Sequence, residues 1–204
     1  MVKDHIAGRG ISDERVLAAM RSVHRERFVP GDMVQFSYED HPLPIGLGQT
    51  ISQPFIVALM AEAAEISPTD KVLEVGTGSG YGAAVVSHLA AEVWTIERLD
   101  DLAETSRNQL SAEGIENVHV VVGDGTLGWP DEAPYDAIIV TAGAPAVPSA
   151  LRDQLAVGGR LILPSGPERH GQTLLRVRRV TDDRYETEDL GLVRFVPLIG
   201  EQGW

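Results

Sequence analysis

Between residues 71 and 81 the chain reads Lys-Val-Leu-Glu-Val-Gly-Thr-Gly-Ser-Gly-Tyr, an apolar run that ends in glycines at 76, 78 and 80. A helical pattern follows, from Tyr81 to Leu89. Such a run fits a buried parallel strand. Glycine lets that strand turn sharply into a helix, because it accepts positive φ and lets a ligand approach the backbone. The first N–H groups of the helix have no partner within it and point into the turn. The stretch therefore predicts a strand–turn–helix unit with a nucleotide-like ligand, or the same tight turn with no ligand.

The rest of the chain decides the architecture. Ile11 to Val23 predicts a helix with Ser12 as its N-cap and Val16, Leu17, Met20 and Val23 on one face. An irregular segment runs from there to Gly48, punctuated by Pro30, Pro42 and Pro44 and interleaved with Tyr38, Leu43, Ile45 and Leu47, which predict that it packs. A second helix begins at Ser52-Gln53-Pro54, with Ser52 as N-cap and Pro54 in the first turn, where its missing N–H costs nothing. That helix N-terminus is also a good place to receive a carboxylate.

After the glycine turn come strands at Glu92–Glu97, Val118–Val122, Ala137–Val140 and Arg160–Pro164, with helices at Asp100–Glu113 and Ser149–Leu155 between them. Strands alternating with helices predict βαβ units on a parallel sheet. Past Pro164 the helices stop. Thr173–Val180, Tyr185–Leu190 and Leu192–Pro197 predict three strands of an antiparallel addition. With no repeat and no linker, a single α/β domain is expected. Residues 1–70 form an N-terminal helical and loop addition, 71–164 a Rossmann-like core, and 165–204 the C-terminal strands.

Ligands of open α/β sheets bind beyond the carboxyl ends of the strands. Glycines 76, 78 and 80 lie there, Glu97 ends the second strand, where a carboxylate can accept ribose hydroxyls, and Asp124 follows the third, where it can accept from an adenine amino group. Convergent polar groups of this kind favour a bound ligand. The spacing G-x-G-x-G departs from the G-x-G-x-x-G of dinucleotide binding, and no lysine-bearing phosphate loop is present. S-adenosylmethionine fits better than NAD, because it has no pyrophosphate and its amino-acid tail suits a glycine turn.

Composition removes other classes. A formal net charge of −13 argues against nucleic-acid binding, which needs a basic surface, and against anionic membranes. The short basic run Arg176-Val177-Arg178-Arg179 reads as solvated residues on an exposed strand. No segment approaches the roughly 20 apolar residues of a membrane span, and Met1–Arg15 has no apolar signal core. The absence of cysteine excludes disulfides and thiolate metal sites and fits a reducing cytoplasm.

Five segments then occur together and in order: Thr50–Pro54, Val72–Tyr81, Gly123-Asp124-Gly125, Ala133–Val140 and Val193–Leu198. With them the chain resembles the protein-L-isoaspartate O-methyltransferases from about Arg25 onward. The Thr-Ile-Ser-Gln-Pro and Arg-Phe-Val-Pro-Leu segments carry most of that specificity. The resemblance implies a class I methyltransferase fold. It implies transfer of a methyl group from S-adenosylmethionine, leaving S-adenosylhomocysteine, to the free α-carboxylate of L-isoaspartyl residues in damaged proteins and peptides. It places the active-site serine at Ser52 and cofactor contacts at Gln49, Thr50, Ile51, Ser52, Gly76, Thr77, Gly78, Gly80, Glu97, Asp124 and Gly125. It places substrate contacts at Ile51, Ser52, Val193, Phe195, Val196 and Leu198. A cytoplasmic monomer with no metal is expected. Leu47, Gly82 and Gly143 stand where members often have an aromatic residue, glutamine and alanine, which bears on fine substrate preference.

The chemistry agrees with the residues available. A carboxylate is already ionised at pH 7 and needs no general base. His41 and His88 are therefore expected to be structural or exposed, and Ser52 to orient the substrate carboxylate rather than attack. A serine hydrolase is disfavoured, since no G-x-S-x-G elbow exists. A peptide is expected to lie along the Val193–Leu198 edge by main-chain hydrogen bonds, with acidic flanks disfavoured. Methylation of another carboxylate or a small molecule stays open as the alternative, as does a binding protein on the same scaffold.

Overall fold

The computed structural model describes residues 1–167 and 171–204. The predicted strand at the glycine turn is β3 (Lys71–Val75), preceded by a short hairpin of β1 (Leu43–Gly46) and β2 (Gln49–Ile51). It is followed by β4 (Glu92–Glu97), β5 (Val118–Val122), β6 (Tyr135–Val140), β7 (Leu155–Ser165), β8 (Gln172–Arg179) and β9 (Tyr185–Val193). Seven of these form one sheet in the order β5-β4-β3-β6-β7-β8-β9. Strands β5 to β7 run parallel, and β8 and β9 are antiparallel additions. The chain leaves β3 towards β4 and β5, then returns to β6 on its other side. Val75 pairs with Ile96 on one flank and Val140 on the other, so the strand order reverses beside the glycine turn. A crevice opens at such a reversal.

Period-two alternation divides the core between the two faces. Val72, Ala137, Ile139 and Ile162 pack with α1 (Glu14–Ser22), α2 (Pro54–Ala63) and α3 (Tyr81–Ser87). Leu73, Val75, Ile138, Val140 and Leu161 pack on the other face with Leu151 of α5 (Ser149–Asp153). The remaining helix, α4 (Asp100–Ala112), buries Leu102, Ala103, Ser106 and Leu110. These are the positions predicted for its inner face.

The N-terminal part departs from the sequence reading in three places. Helix α1 starts later, and its N-cap is Asp13, whose Oδ1 accepts from the N–H groups of Arg15 and Val16. Ser12 instead gives its N–H to Glu62 Oε1 at 2.7 Å, which holds the chain off the helix. The irregular segment contains two 3-10 turns, Arg25–Phe28 and Gly31–Phe36, and the β1–β2 hairpin, whose strands are too short to show a period. Phe28 meets the Tyr81 ring edge-on at 5.8 Å, and the buried Arg25 guanidinium lies 4.9 Å from the same ring, its pKa lowered by burial to about 10. This segment is thereby fastened to the start of α3. Thirdly, Ser52 is not a cap. The N-cap of α2 is Gln53, and Asp40 supplies the missing acceptor through space, taking the Phe55 N–H on Oδ1 at 3.0 Å.

The hairpin turn carries an exposed Leu47 at φ 51°, between Gly46 and Gly48. A leucine in the left-handed region is strained, whereas asparagine tolerates it. Leu47→Asn is expected to stabilise the protein by about 1 kcal/mol, or ~2–4 °C in Tm for a chain of this size. A thermal melt checks this; an unchanged Tm would show that the leucine side chain recovers the strain by packing.

At the C-terminal side the three predicted strands are two. β9 runs through Gly191, which looked like a break. A register shift opposite Thr173–Leu175 absorbs it. Residues 194–198 leave the sheet, so the expected Val193–Leu198 strand edge does not form. Its main chain is largely taken: Gly143 donates to the Val196 carbonyl and accepts from Leu198 N–H, and Phe195 N–H donates to Gln172 Oε1. The basic run on β8 is paired rather than merely solvated, Arg176 with Glu65 and Glu188 and Arg178 with Glu65.

Candidate functional site

The turn after β3 has Gly76, Gly78 and Gly80 at φ 97°, 53° and 88°. Gly76 and Thr77 donate their N–H groups to the Ile96 carbonyl at the end of β4, at 2.8 and 3.2 Å. From the other flank, the Thr141 hydroxyl, just past β6, donates to the carbonyls of Gly76 and Val75 at 2.7 and 3.0 Å. A Cβ on residue 76 would lie 2.3 Å from that hydroxyl oxygen. The turn is thus clasped from both neighbouring strands, and only glycine fits.

Glu97 is buried at the end of β4, as its place in the sequence suggested. Its Oε2 accepts from Gly78 N–H at 2.9 Å, and its Oε1 from the N–H groups of Arg98 and Leu99 at 2.9 and 3.1 Å. Of the roughly four acceptor positions of a carboxylate, about one remains for a ligand hydroxyl.

One cavity gathers most of the predicted residues. Gln49, Thr50, Ile51 and Ser52 line it together with Gly76, Thr77, Gly78, Glu97 and Gly125, and with Val196 and Leu198. The Ser52 hydroxyl has no hydrogen-bond partner among the described residues, so it is available to a ligand.

Four predicted residues are elsewhere. Gly80 caps α3 and faces Ser106 and Leu110 of α4. Val193 ends β9, and Phe195 packs with the helix-side core. Asp124 turns its carboxylate away from the cavity. Oδ1 accepts from the Thr126 N–H and hydroxyl at 2.9 and 2.7 Å, and Oδ2 from Glu201 N–H at 2.8 Å. Burial alone would raise its pKa, but the Glu201 N–H and the two Thr126 donors outweigh that and hold it below the usual carboxylate range. Asp124 therefore anchors the chain that follows the Val196–Ile199 wall.

The sequence reading missed Glu74 and Thr141. Glu74 lines the cavity although it is only 2% exposed. Burial, with the charge of Glu97 adding to it, pushes its carboxyl up to about 8. The signal was there to read: an acid inside an apolar run that predicts a strand buried on both faces.

The family described as Protein-L-isoaspartate(D-aspartate) O-methyltransferase matches residues 1–203. Protein-L-isoaspartate O-methyltransferase 2 of Pelobacter propionicus is 58% identical over all of this chain and 91% of its own length. The protein-L-isoaspartate O-methyltransferase of Methanoculleus marisnigri is 55% identical, over all of this chain and 92% of its own. Among solved structures, a protein-L-isoaspartate O-methyltransferase superposes with a TM-score of 0.88 at 32% identity, covering 97% of this chain and 64% of that one. A Plasmodium falciparum structure described as a protein-L-isoaspartate O-methyltransferase in complex with S-adenosyl-L-homocysteine superposes at 0.84 with 27% identity, over 97% of this chain and 96% of that one. With matches over the whole chain, on a fold that carries the clasped glycine turn and brings Ser52 to the same cavity, the chain belongs to the protein-L-isoaspartate (D-aspartate) O-methyltransferase family.

Proposed function

We propose that the two sides of the cavity divide the family's reaction between them, with the glycine turn holding S-adenosylmethionine and Ser52 orienting the substrate carboxylate. The reaction is methyl transfer to the free α-carboxylate of an L-isoaspartyl residue in a protein or peptide. The observation that supports this division is that Gln49–Ser52 and Gly76–Gly78, far apart in the chain, line one cavity. The residues present suit a cationic amino-acid-like ligand: a turn with glycine at 76, 78 and 80, and a buried Glu74 whose Oε1 has no partner among the described residues. When bound, the cofactor supplies a methyl group activated by its sulfonium. Glu97 would take a ribose hydroxyl on its remaining acceptor position, and Gly125 would line the adenosine end. Asp124 holds the wall rather than contacting the cofactor.

On the substrate side, Ser52 donates to the incoming carboxylate, which is itself the nucleophile. Ile51, Val196 and Leu198 exclude water around it. Alignment of this kind supplies several kcal/mol in favourable cases. The partners are isoaspartyl-bearing proteins, and the enzyme acts as a cytoplasmic monomer. No helix among the described residues is long and apolar enough to cross a membrane.

Methyl transfer from labelled S-adenosylmethionine to matched isoaspartyl and aspartyl peptides tests the reading, with activity expected on the first only. Ser52→Ala is expected to lower kcat/KM by about 10- to 150-fold, the worth of a hydrogen bond to a charged group. Its Tm should not change, because Ser52 Oγ has no hydrogen-bond partner among the described residues. A variant that lost stability but kept full kcat/KM would return Ser52 to a purely structural role.

A further inference from the structure

Gln172 opens β8 and is only 1% exposed. Its main chain pairs with Val193, the last residue of β9. Its side-chain Oε1 accepts from the N–H of Phe195, two residues further on, at 2.9 Å. A backbone N–H can only donate, so this bond fixes which way the amide faces. The Nε2 end is then buried and without a partner among the described residues. A buried donor left in that state lowers stability, and an apolar side chain of similar size would carry no such cost. What the fold gains from a polar residue here is a hold on the chain just beyond the sheet.

The room for that amide is made by Gly143, which follows β6. A Cβ there would lie 2.8 Å from Nε2, 2.9 Å from Cδ and 3.1 Å from Cγ of Gln172. These three nearest atoms all belong to one flexible side chain. Gly143 is not among the glycines with positive φ, so its backbone accepts alanine without strain. What an alanine would disturb is the Gln172 amide. Gly143 also acts on the chain that follows Phe195. It donates to the Val196 carbonyl at 2.8 Å and accepts from the Leu198 N–H at 2.8 Å. The two residues thus grip Phe195, Val196 and Leu198 along the segment that leaves β9. Val196 and Leu198 line the cavity, whereas Gln172 and Gly143 stand behind it.

We propose that Gln172 is a positioning residue for the substrate, acting through Phe195 on the cavity wall, and that Gly143 is the space its amide needs. By taking the Phe195 N–H it sets the direction in which the chain leaves β9. That direction decides where Val196 and Leu198 stand against the residue that bears the carboxylate. The proposal rests on the assignment of Val196 and Leu198 to the substrate side of the cavity. Among the described residues no hydrogen bond joins Gln172 to the glycine turn, so cofactor binding is left alone.

The test is a double-mutant cycle on Gln172→Ala and Gly143→Ala. It is read by steady-state methyl transfer to an isoaspartyl peptide and by calorimetric titration with S-adenosylhomocysteine. Each single variant should raise KM for the peptide by about 2- to 12-fold, the worth of one neutral hydrogen bond. The kcat and the Kd for S-adenosylhomocysteine should stay at their wild-type values, a split that a general loss of structure would not give. On the Gln172→Ala background the Cβ at 143 meets no amide, so Gly143→Ala should add nothing further. Hydrogen exchange at the Phe195 amide, followed by NMR, should speed up in both single variants. This exchange and the Gly143→Ala kinetics decide the matter if Gln172→Ala does not fold. A peptide KM that stays at the wild-type value in Gly143→Ala would overturn the proposal. So would a loss of cofactor affinity equal to the rise in KM, or full additivity in the double variant. Each of these would leave the methyl-transfer function standing. A wild type that does not methylate isoaspartyl peptides would overturn both.

Discussion

Gly76→Ala should destabilise the protein by roughly 2–6 kcal/mol, the sum of about 1–3 for a strained backbone and 1–3 for overpacking. The strain comes from φ 97°, and the overpacking from the Thr141 hydroxyl 2.3 Å from the new Cβ. Thr141 cannot retreat cheaply, because that hydroxyl is the clasp across the strand reversal. Against a typical stability of about 5–15 kcal/mol the loss is large. Cofactor binding should fail with it, since the displaced turn carries the Gly78 N–H that Glu97 holds. Gly114→Ala is the control: its φ is 69°, but nothing lies within 4 Å of a Cβ there. Urea unfolding of both variants, with midpoints compared at constant slope, separates strain from collision. If Gly76→Ala were no worse than Gly114→Ala, the Thr141 collision would carry no cost.

Asp124→Ala should cost about 1.5–3 kcal/mol at neutral pH through the charged hydrogen bonds to Thr126 and Glu201. KM for the peptide should rise as well, because the chain behind the Val196–Ile199 wall loses its anchor. Asp124→Asn keeps one acceptor oxygen and should fall between. The pH dependence follows from the direction of the shift. Asp124 has a depressed pKa in the folded protein, so its contribution is complete above the unfolded value near 4 and disappears as pH falls through the folded one. Denaturation at pH 7, 5 and 3 should therefore show a gap between wild type and Asp124→Ala that is equal at the first two and smaller at the third. A gap independent of pH would mean that the ionised carboxylate is not what matters.

The strand–turn–helix unit was legible because its signals are local: an apolar run, glycines where φ is positive, and a helical period after them. Glu97 was legible because it ends such a run. Asp124 was placed correctly in sequence, but its bond to Glu201 was not legible, because that partner is distant in the chain. Ser52 shows the same limit. A serine two residues before a helical proline reads as a cap, and nothing nearby announces that Asp40 does the capping instead. That left the hydroxyl free, which bears on its proposed role. Glu74 was passed over for the opposite reason. Its signal was local, an acid inside a buried strand, but its meaning depends on Gly82, which sits over it only once α3 is packed. The C-terminal addition was cut into three strands at Gly191, since glycine marks a break in sequence but a shifted register in the folded sheet.

The carboxylate of Asp40 holds Arg9, Gln53 and the first turn of α2 together. It does so from an irregular segment, whereas the glycine turn is tied into the sheet on both flanks. The geometry around Ser52 thus depends on an acid that is not itself in the cavity lining, and a substitution of Asp40 would reach Ser52 through Gln53 and Phe55 without touching the glycine turn.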